Sequence, residues 1–319
     1  MTNVTARVST DPPKKIKQGS FFRVMAQQKY LYFMSIPFVI WAFVFSYLPL
    51  WGWTMAFQKF RPGRGFFEQE WVGFDNFRML FEDPMFYQVL RNTLAMSVLG
   101  LIAGFTVPIL FAILLNEVRQ MAVKRFVQTI SYLPHFVSWV VVAGIVSKML
   151  ATDGTVNDLL LSLGLIDEPI QYLAKGNLFW FIVTGAELWK EMGWNAIIYL
   201  AAIAGISPEL YEAAKVDGAN RIQQIWHVTL PGIRTTFIIL LIMSIGHLIS
   251  IGFEKQFLLG NTLVSDYSQV LDLYALNYGL SMGRFSFGTA INMFNSAISI
   301  ALLLAANGIF KRMTKESIF

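Results

Sequence analysis

The stretch Glu212-Ala213-Ala214-Lys215-Val216-Asp217-Gly218, closed by Leu230-Pro231, lies in a polar island from Ser207 to Arg234 between two strongly apolar runs. Ser207-Pro208 reads as an N-cap followed by proline at the first helical position, where the missing N–H costs nothing. Glu209 and Glu212 fall in the first turns, where the helix dipole favours anions. Leu210, Ala213, Ala214 and Asp217 recur every three or four residues and form one small, mildly apolar face. Gly218 supplies the positive φ that a sharp change of direction needs. Ile222, Ile225 and Trp226 mark a second short amphipathic helix, which Pro231 is expected to stop. Two short helices joined at a glycine make a rigid knob, a shape suited to docking.

The flanking runs define the class. Of 319 residues, 55% are hydrophobic and 14% charged, against about 25% charged in a soluble domain. The chain is therefore expected to be an all-α integral membrane protein. There is no cysteine, so neither a disulfide framework nor a thiolate metal site is possible. Six runs approach the roughly 20 residues that cross a hydrocarbon core: Leu31–Phe57, Leu90–Leu115, Thr129–Leu150, Leu178–Ile206, Thr235–Leu258 and Phe287–Phe310. The first is too long for a signal-peptide core and is read as an uncleaved span.

Six spans put both termini on one side. The loops on that side carry fifteen basic residues, including Arg7, Lys14, Lys124, Arg221 and Lys311, against nine at most on the other. The positive-inside rule makes the first side cytoplasmic, and the island with it. The expected layout is a basic cytoplasmic tail at 1–30, a six-span domain at 31–310 and a cytoplasmic tail at 311–319. Net positive charge concentrated at span ends is no nucleic-acid signature.

The spelling of the island resembles the "EAA" loop of ABC-importer permease subunits: EAA, three residues, glycine, nine residues, then aliphatic-x-Leu-Pro, with Val228 where isoleucine is usual. Residues 73–93 are similar to the "GxxNF…DPxFxxxLxNT" region of sugar-type permeases, where a short helix leads into the second span. Tyr132 to Val141, YLPHFVSWVV, and Val270 to Phe287 look like the polysaccharide-type branch, which includes alginate-oligosaccharide permeases. The resemblance runs from Tyr30 to Ile309. It implies a type I importer permease in the bacterial cytoplasmic (inner) membrane, with 207–234 as the coupling loop. Glu212, Ala213, Ala214, Asp217, Gly218, Leu230 and Pro231 would then seat in an ATP-hydrolysing subunit. It further implies two ATP-binding subunits holding ATP and Mg, a second permease chain, expected to differ from this one, and an external solute-binding protein that delivers an oligosaccharide.

The fourth run holds a charged cluster. Glu187, Lys190 and Glu191 stand mid-run beside Trp189, Trp194 and Asn195. An ionised side chain at the centre of a span costs about 2.5–3.5 kcal/mol on insertion scales, so such residues face protein or a water-filled cavity. Spacings of three and four place the three charges on one face, with Lys190 able to neutralise either carboxylate. Three readings stand: a polar lining of a translocation path suited to sugars, an internal ion-pair cluster holding helices together, or a span whose centre lies elsewhere. His247 in the fifth run is open in the same way, while His135 is expected to cap a helix or to make an inter-helix hydrogen bond rather than to bind a ligand.

No G-x-x-x-x-G-K-[ST] and no H-E-x-x-H occurs, and the three histidines fall in separate segments, so neither ATP hydrolysis nor a metal site is expected in this chain. For the substrate, the resemblance favours an alginate-like uronate oligosaccharide. A neutral oligosaccharide is the alternative, since the spans and outer side carry 14 acidic residues against 10 basic ones. Two other classes remain: an ion-coupled secondary transporter using Glu187 and Glu191, or a membrane-embedded transferase using His135 or His247 with a carboxylate.

Overall fold

The computed structural model describes residues 28–314. Most of the expected N-terminal tail and the end of the C-terminal one lie outside the described residues. The chain divides into two units, Met1–Trp53 and Thr54–Phe319.

In the first unit, α1 (Lys29–Ala42) widens into a π turn at Phe43–Tyr47 before tighter turns begin at Leu48. Pro49 explains the change, because it offers no N–H to the Phe45 carbonyl and its ring crowds the normal register.

The second unit opens with a two-residue antiparallel pair, Gln58 opposite Trp71 and Lys59 opposite Glu70, and its other regular elements among the described residues are helices. Buried Asn76 at the start of α2 (Asp75–Glu82) ties this pair down, its amide donating to the carbonyls of Ala56 (2.8 Å) and Gln58 (3.2 Å). Asp83 then caps α3 (Pro84–Glu117), accepting from the Met85 N–H at 2.9 Å, with Pro84 at the first helical position. The expected short helix leading into the second span is thus present.

The third expected span is not one helix. α4 (Met121–Tyr132) stops, Leu133–Phe136 forms a 3-10 turn, and α5 (Trp139–Met149) leaves at 103°. Pro134 cannot continue the α4 ladder, and the Ser138 hydroxyl accepts from the Val141 N–H to start a new helix. α6 (Gly176–Ala204) is unbroken. Beyond it come α7 (Pro208–Val216) and α8 (Arg221–Gln224).

The fifth expected span is also interrupted. α9 (Arg234–Gly246) ends, residues 247–253 are irregular, and α10 (Glu254–Leu259) follows. The freed Leu248 carbonyl accepts from the Ser97 hydroxyl, and the N–H of Gly252, at φ +77°, donates to Asp272, so these groups in the break are satisfied without a helix. α11 (Leu271–Leu276) and the long α12 (Phe285–Thr314) complete the unit.

Among the described residues, three helices are long and apolar enough to cross a membrane, Lys29–Phe57, Pro84–Glu117 and Phe285–Arg312. Counting each of three bent pairs as one crossing gives six. The core follows α3 and α6. Ala112, Ile113, Ala196, Tyr199 and Ile203 fill one end. Met96, Phe179 and Val183 fill the middle, and Phe86, Val89, Tyr274 and Ile291 fill the end near α11 and α12.

Candidate functional site

Between α3, α6 and the segment from Leu240 to Lys255 lies a cavity of about 540 Å³. With 3.6 residues per turn, Glu187, Glu191, Asn195 and Ile198 form a stripe along α6 that faces it. Met96, Gly100 and Gly104 of α3 supply a smoother, apolar wall. His247 also lines the cavity and bonds through Nδ1 to its own helix at the Met243 carbonyl, 2.9 Å away.

Trp189, Lys190 and Trp194 stand outside the cavity wall. Trp189 turns to the opposite side of α6, while Lys190 and Trp194, one turn apart, face the break in the third span. There Lys190, only 6% exposed, donates to the His135 carbonyl (2.6 Å) and to Glu191 Oε1 (3.0 Å). His135 Nδ1 meets the other Glu191 oxygen at 2.7 Å, the inter-element bond expected of it. The cluster therefore divides: Lys190 is held at the break, Glu187 lines the cavity and Glu191 does both. Lys190 and Glu191 clamp the break, and Glu191 also shows an edge to the cavity.

Of the two carboxylates within its reach, Lys190 neutralises Glu191 and leaves Glu187. Lys190 points the other way, and Lys255 takes its place, Nζ lying 2.5 Å from Glu187 Oε1. Lys255 was legible only as a cation at the end of an apolar run. The break after Gly246 lets the chain turn back and aim it into the cavity.

The island forms the expected helix–glycine–helix knob. Ser207 occupies the N-cap position without a side-chain bond, Pro208 opens α7, and Gly218 adopts φ +76°. Asn220 starts α8 with a reciprocal cap, accepting from the Gln223 N–H (2.9 Å) while Gln223 Oε1 accepts from the Asn220 N–H (2.8 Å). Leu230-Pro231 does not stop the second helix. The winding widens to a π turn over Ile225–Thr229, absorbing the missing N–H of Pro231, and ends at Gly232 before a 57° bend. Tyr211 and Thr229 hydroxyls meet at 3.0 Å across the two arms, and Arg221 reaches Glu117 at the end of α3 (3.1 Å). Glu212, Ala213, Asp217, Gly218 and Pro231 are exposed, and Ala214 and Leu230 are half-buried. Leu210, Val216, Ile222 and Trp226 add exposed apolar surface around them.

The broken bundle, its cavity and the braced, exposed EAA knob are those of a chain with known relatives. Residues 96–315 fit the binding-protein-dependent transport system inner membrane component. The chain belongs to that family. Over 307 residues it is 42% identical to the polygalacturonan/rhamnogalacturonan transport system permease protein YteP of Bacillus subtilis, covering 96% of this chain and 95% of that one. A solved bacterial ABC transporter involved in import of the acidic polysaccharide alginate contains a chain 38% identical, with TM-score 0.85, covering 92% and 99%. The alginate transporter in complex with an alginate pentasaccharide-bound periplasmic protein gives 37% identity and TM-score 0.86, covering 93% and 99%. This binding-protein-dependent component is accordingly a multi-pass permease of a sugar or polysaccharide ABC importer, and a transport component rather than an enzyme.

Proposed function

We propose that this permease subunit carries uronate-containing, acidic oligosaccharides into the cytoplasm through the cavity between α3, α6 and Leu240–Lys255. The observation that carries the acidic reading is a double one: a relative at 42% identity is named for polygalacturonan and rhamnogalacturonan, and a solved neighbour at 38% is named for alginate. Glu187, Glu191, Asn195, His247 and Lys255 offer hydrogen-bond groups to sugar hydroxyls and carboxylates.

The knob at 207–234 is the coupling loop, facing the cytoplasm with both termini. Glu212, Ala213, Ala214, Asp217 and Gly218 seat in an ATP-binding subunit, with Leu230 and Pro231 fixing the second arm. Because that arm continues through the π turn to α9, a push on the knob moves the helix that leads into the irregular 247–253 segment and Lys255. Two ATP-binding subunits with ATP and Mg, a second permease chain of different sequence and a solute-binding protein complete the importer. Alternating access follows from closure and release of the ATP-binding subunits against the knob.

A neutral oligosaccharide is the second reading, favoured by the excess of 14 acidic over 10 basic residues in the spans and outer side. Co-purification of the chain from its native membrane, with ATPase assays on oligogalacturonate, alginate oligosaccharide and neutral oligosaccharides, tests the proposal. An ATP-binding subunit and a second permease are expected to accompany it, with uronate-stimulated ATP turnover that falls in Gly218→Asp. A chain that purifies alone and moves solute on a proton gradient overturns the coupling role.

A further inference from the structure

Lys255 is 8% exposed, yet its side chain borders two voids, the cavity of about 540 Å³ and an adjoining cleft of about 280 Å³ lined also by Trp139, Gly252 and Phe253. Among the described residues, no other Lys or Arg lines the cavity. An ammonium so poorly hydrated needs an anion beside it, and Glu187 supplies one. The two partners are unequally placed. The Lys255 side chain is 10% exposed and that of Glu187 is 37% exposed, so the carboxylate can swing into water while the ammonium cannot.

We propose that Lys255 is the carboxylate-recognising residue of the cavity, with Glu187 as its resident counter-ion, and that exchange of Glu187 for a substrate carboxylate gives the path its preference for acidic sugars. The inference rests on the acidic-substrate reading above.

The exchange keeps the lysine paired at every stage. A uronate carboxylate takes the Glu187 position on Nζ, and Glu187, displaced, rehydrates or accepts from a sugar hydroxyl. Because Glu187 and Glu191 repel the incoming anion while Lys255 attracts it, occupancy stays weak, which a path that must release its cargo requires. Lys190 takes no part, since it is committed to the His135 carbonyl and to Glu191 at the break in the third span.

The test uses the assembled importer in proteoliposomes with its binding protein, measuring uptake of an oligogalacturonate and of its methyl ester, normalised to assembled complex. Wild type is expected to favour the acid. Lys255→Gln should lower the acid-to-ester ratio of kcat/KM about tenfold, as loss of one charge-assisted hydrogen bond implies, mainly through KM for the acid. Lys255→Arg should restore it. Glu187→Gln should hold or raise the ratio, and a fall there overturns the counter-ion role even if Lys255→Gln fails to assemble. A selective wild type whose ratio survives in Lys255→Gln overturns this inference alone. A wild type that imports the ester equally well, or neither sugar, overturns the acidic-substrate reading and takes this inference with it.

Discussion

The imidazole of His135 lies flat on the indole of Trp194, with ring centroids 4.2 Å apart and planes inclined by 2°. The stack joins the break in the third span to α6, beside the bonds from Lys190 and Glu191. It holds a sharp turn whose own backbone ladder is interrupted at Pro134. An aromatic pair contributes about 0.5–1.5 kcal/mol beyond burial. Trp194→Ala is therefore expected to lower the thermal midpoint of the purified importer, and Trp194→Phe to recover part of it. Equal midpoints for Trp194→Ala and wild type would show that the stack is incidental.

α6 approaches the same break through Gly193. A Cβ there would fall 2.0 Å from the Ser131 carbonyl oxygen, a backbone atom that cannot step aside. At Gly185, on the same helix, a Cβ meets nothing within 4 Å. Gly193→Ala should cost at least the 1–3 kcal/mol or so typical of overpacking and reduce assembled importer. Gly185→Ala should be neutral or gain up to about 1 kcal/mol from helix propensity. Yields of assembled complex for the two variants, compared side by side, decide the matter.

Asn92 is fully buried and donates to the Asp266 and Gln269 carbonyls at 2.9 and 3.0 Å, while the neighbouring Thr93 hydroxyl accepts from the Leu271 N–H at 2.9 Å. These bonds fasten the segment before α11 to α3. Leaving a buried group unpaired costs about 1–3 kcal/mol, so Asn92→Asp, which keeps the size and removes the donors, should destabilise as much as Asn92→Ala. Protease sensitivity around 262–270 would report the loosening; identical digestion patterns would count against the role.

Asp272, outside the spans, accepts from the Gly252 N–H (2.7 Å) and the Asn295 amide (2.8 Å). Burial pushes its carboxyl above the ordinary value of 3.8, against the pull of these two bonds. A folded-state pKa above the unfolded one means that the native state holds the proton longer. The resulting stability is present in full below the unfolded value and is lost as pH rises through the folded one. Asp272→Asn removes that dependence, and Asn295, whose Oδ1 has no partner, can turn its amide to match. The midpoint of the variant should therefore gain on wild type as the pH is raised from about 4. Parallel curves would refute the assignment.

Gly218 at φ +76° has open space where a Cβ would go, so an alanine there is strained rather than crowded. The left-handed conformation costs an L-residue roughly 1–2 kcal/mol, and less for asparagine. Gly218→Ala should lower ATP-coupled uptake more than it lowers the amount of assembled importer, with Gly218→Asn between it and wild type. Uptake that falls only in step with assembly would make the glycine a folding residue alone.

Much of this protein is local, and local features are legible in a sequence. The glycine hinge at Gly218, the Asp83-Pro84 helix start and the short helix leading into the second span need only neighbouring residues to form. Membrane class and the six apolar runs follow from composition, because hydrocarbon thickness sets the length of a run whatever it later touches. The interruptions at Pro134 and after Gly246 were another matter. An apolar run looks continuous in hydropathy, and a break is stable only when a partner elsewhere donates to the orphaned carbonyls, as Ser97 does to Leu248 and Lys190 to His135. The pairing of charges was likewise undecidable along the chain. Helical spacing put Lys190 within reach of Glu187, but the packing of α6 turned it to the break, and a lysine 68 positions away took its place. Distance along a helix limits which charges can meet; only the tertiary fold decides which of them share a dielectric poor enough to require it.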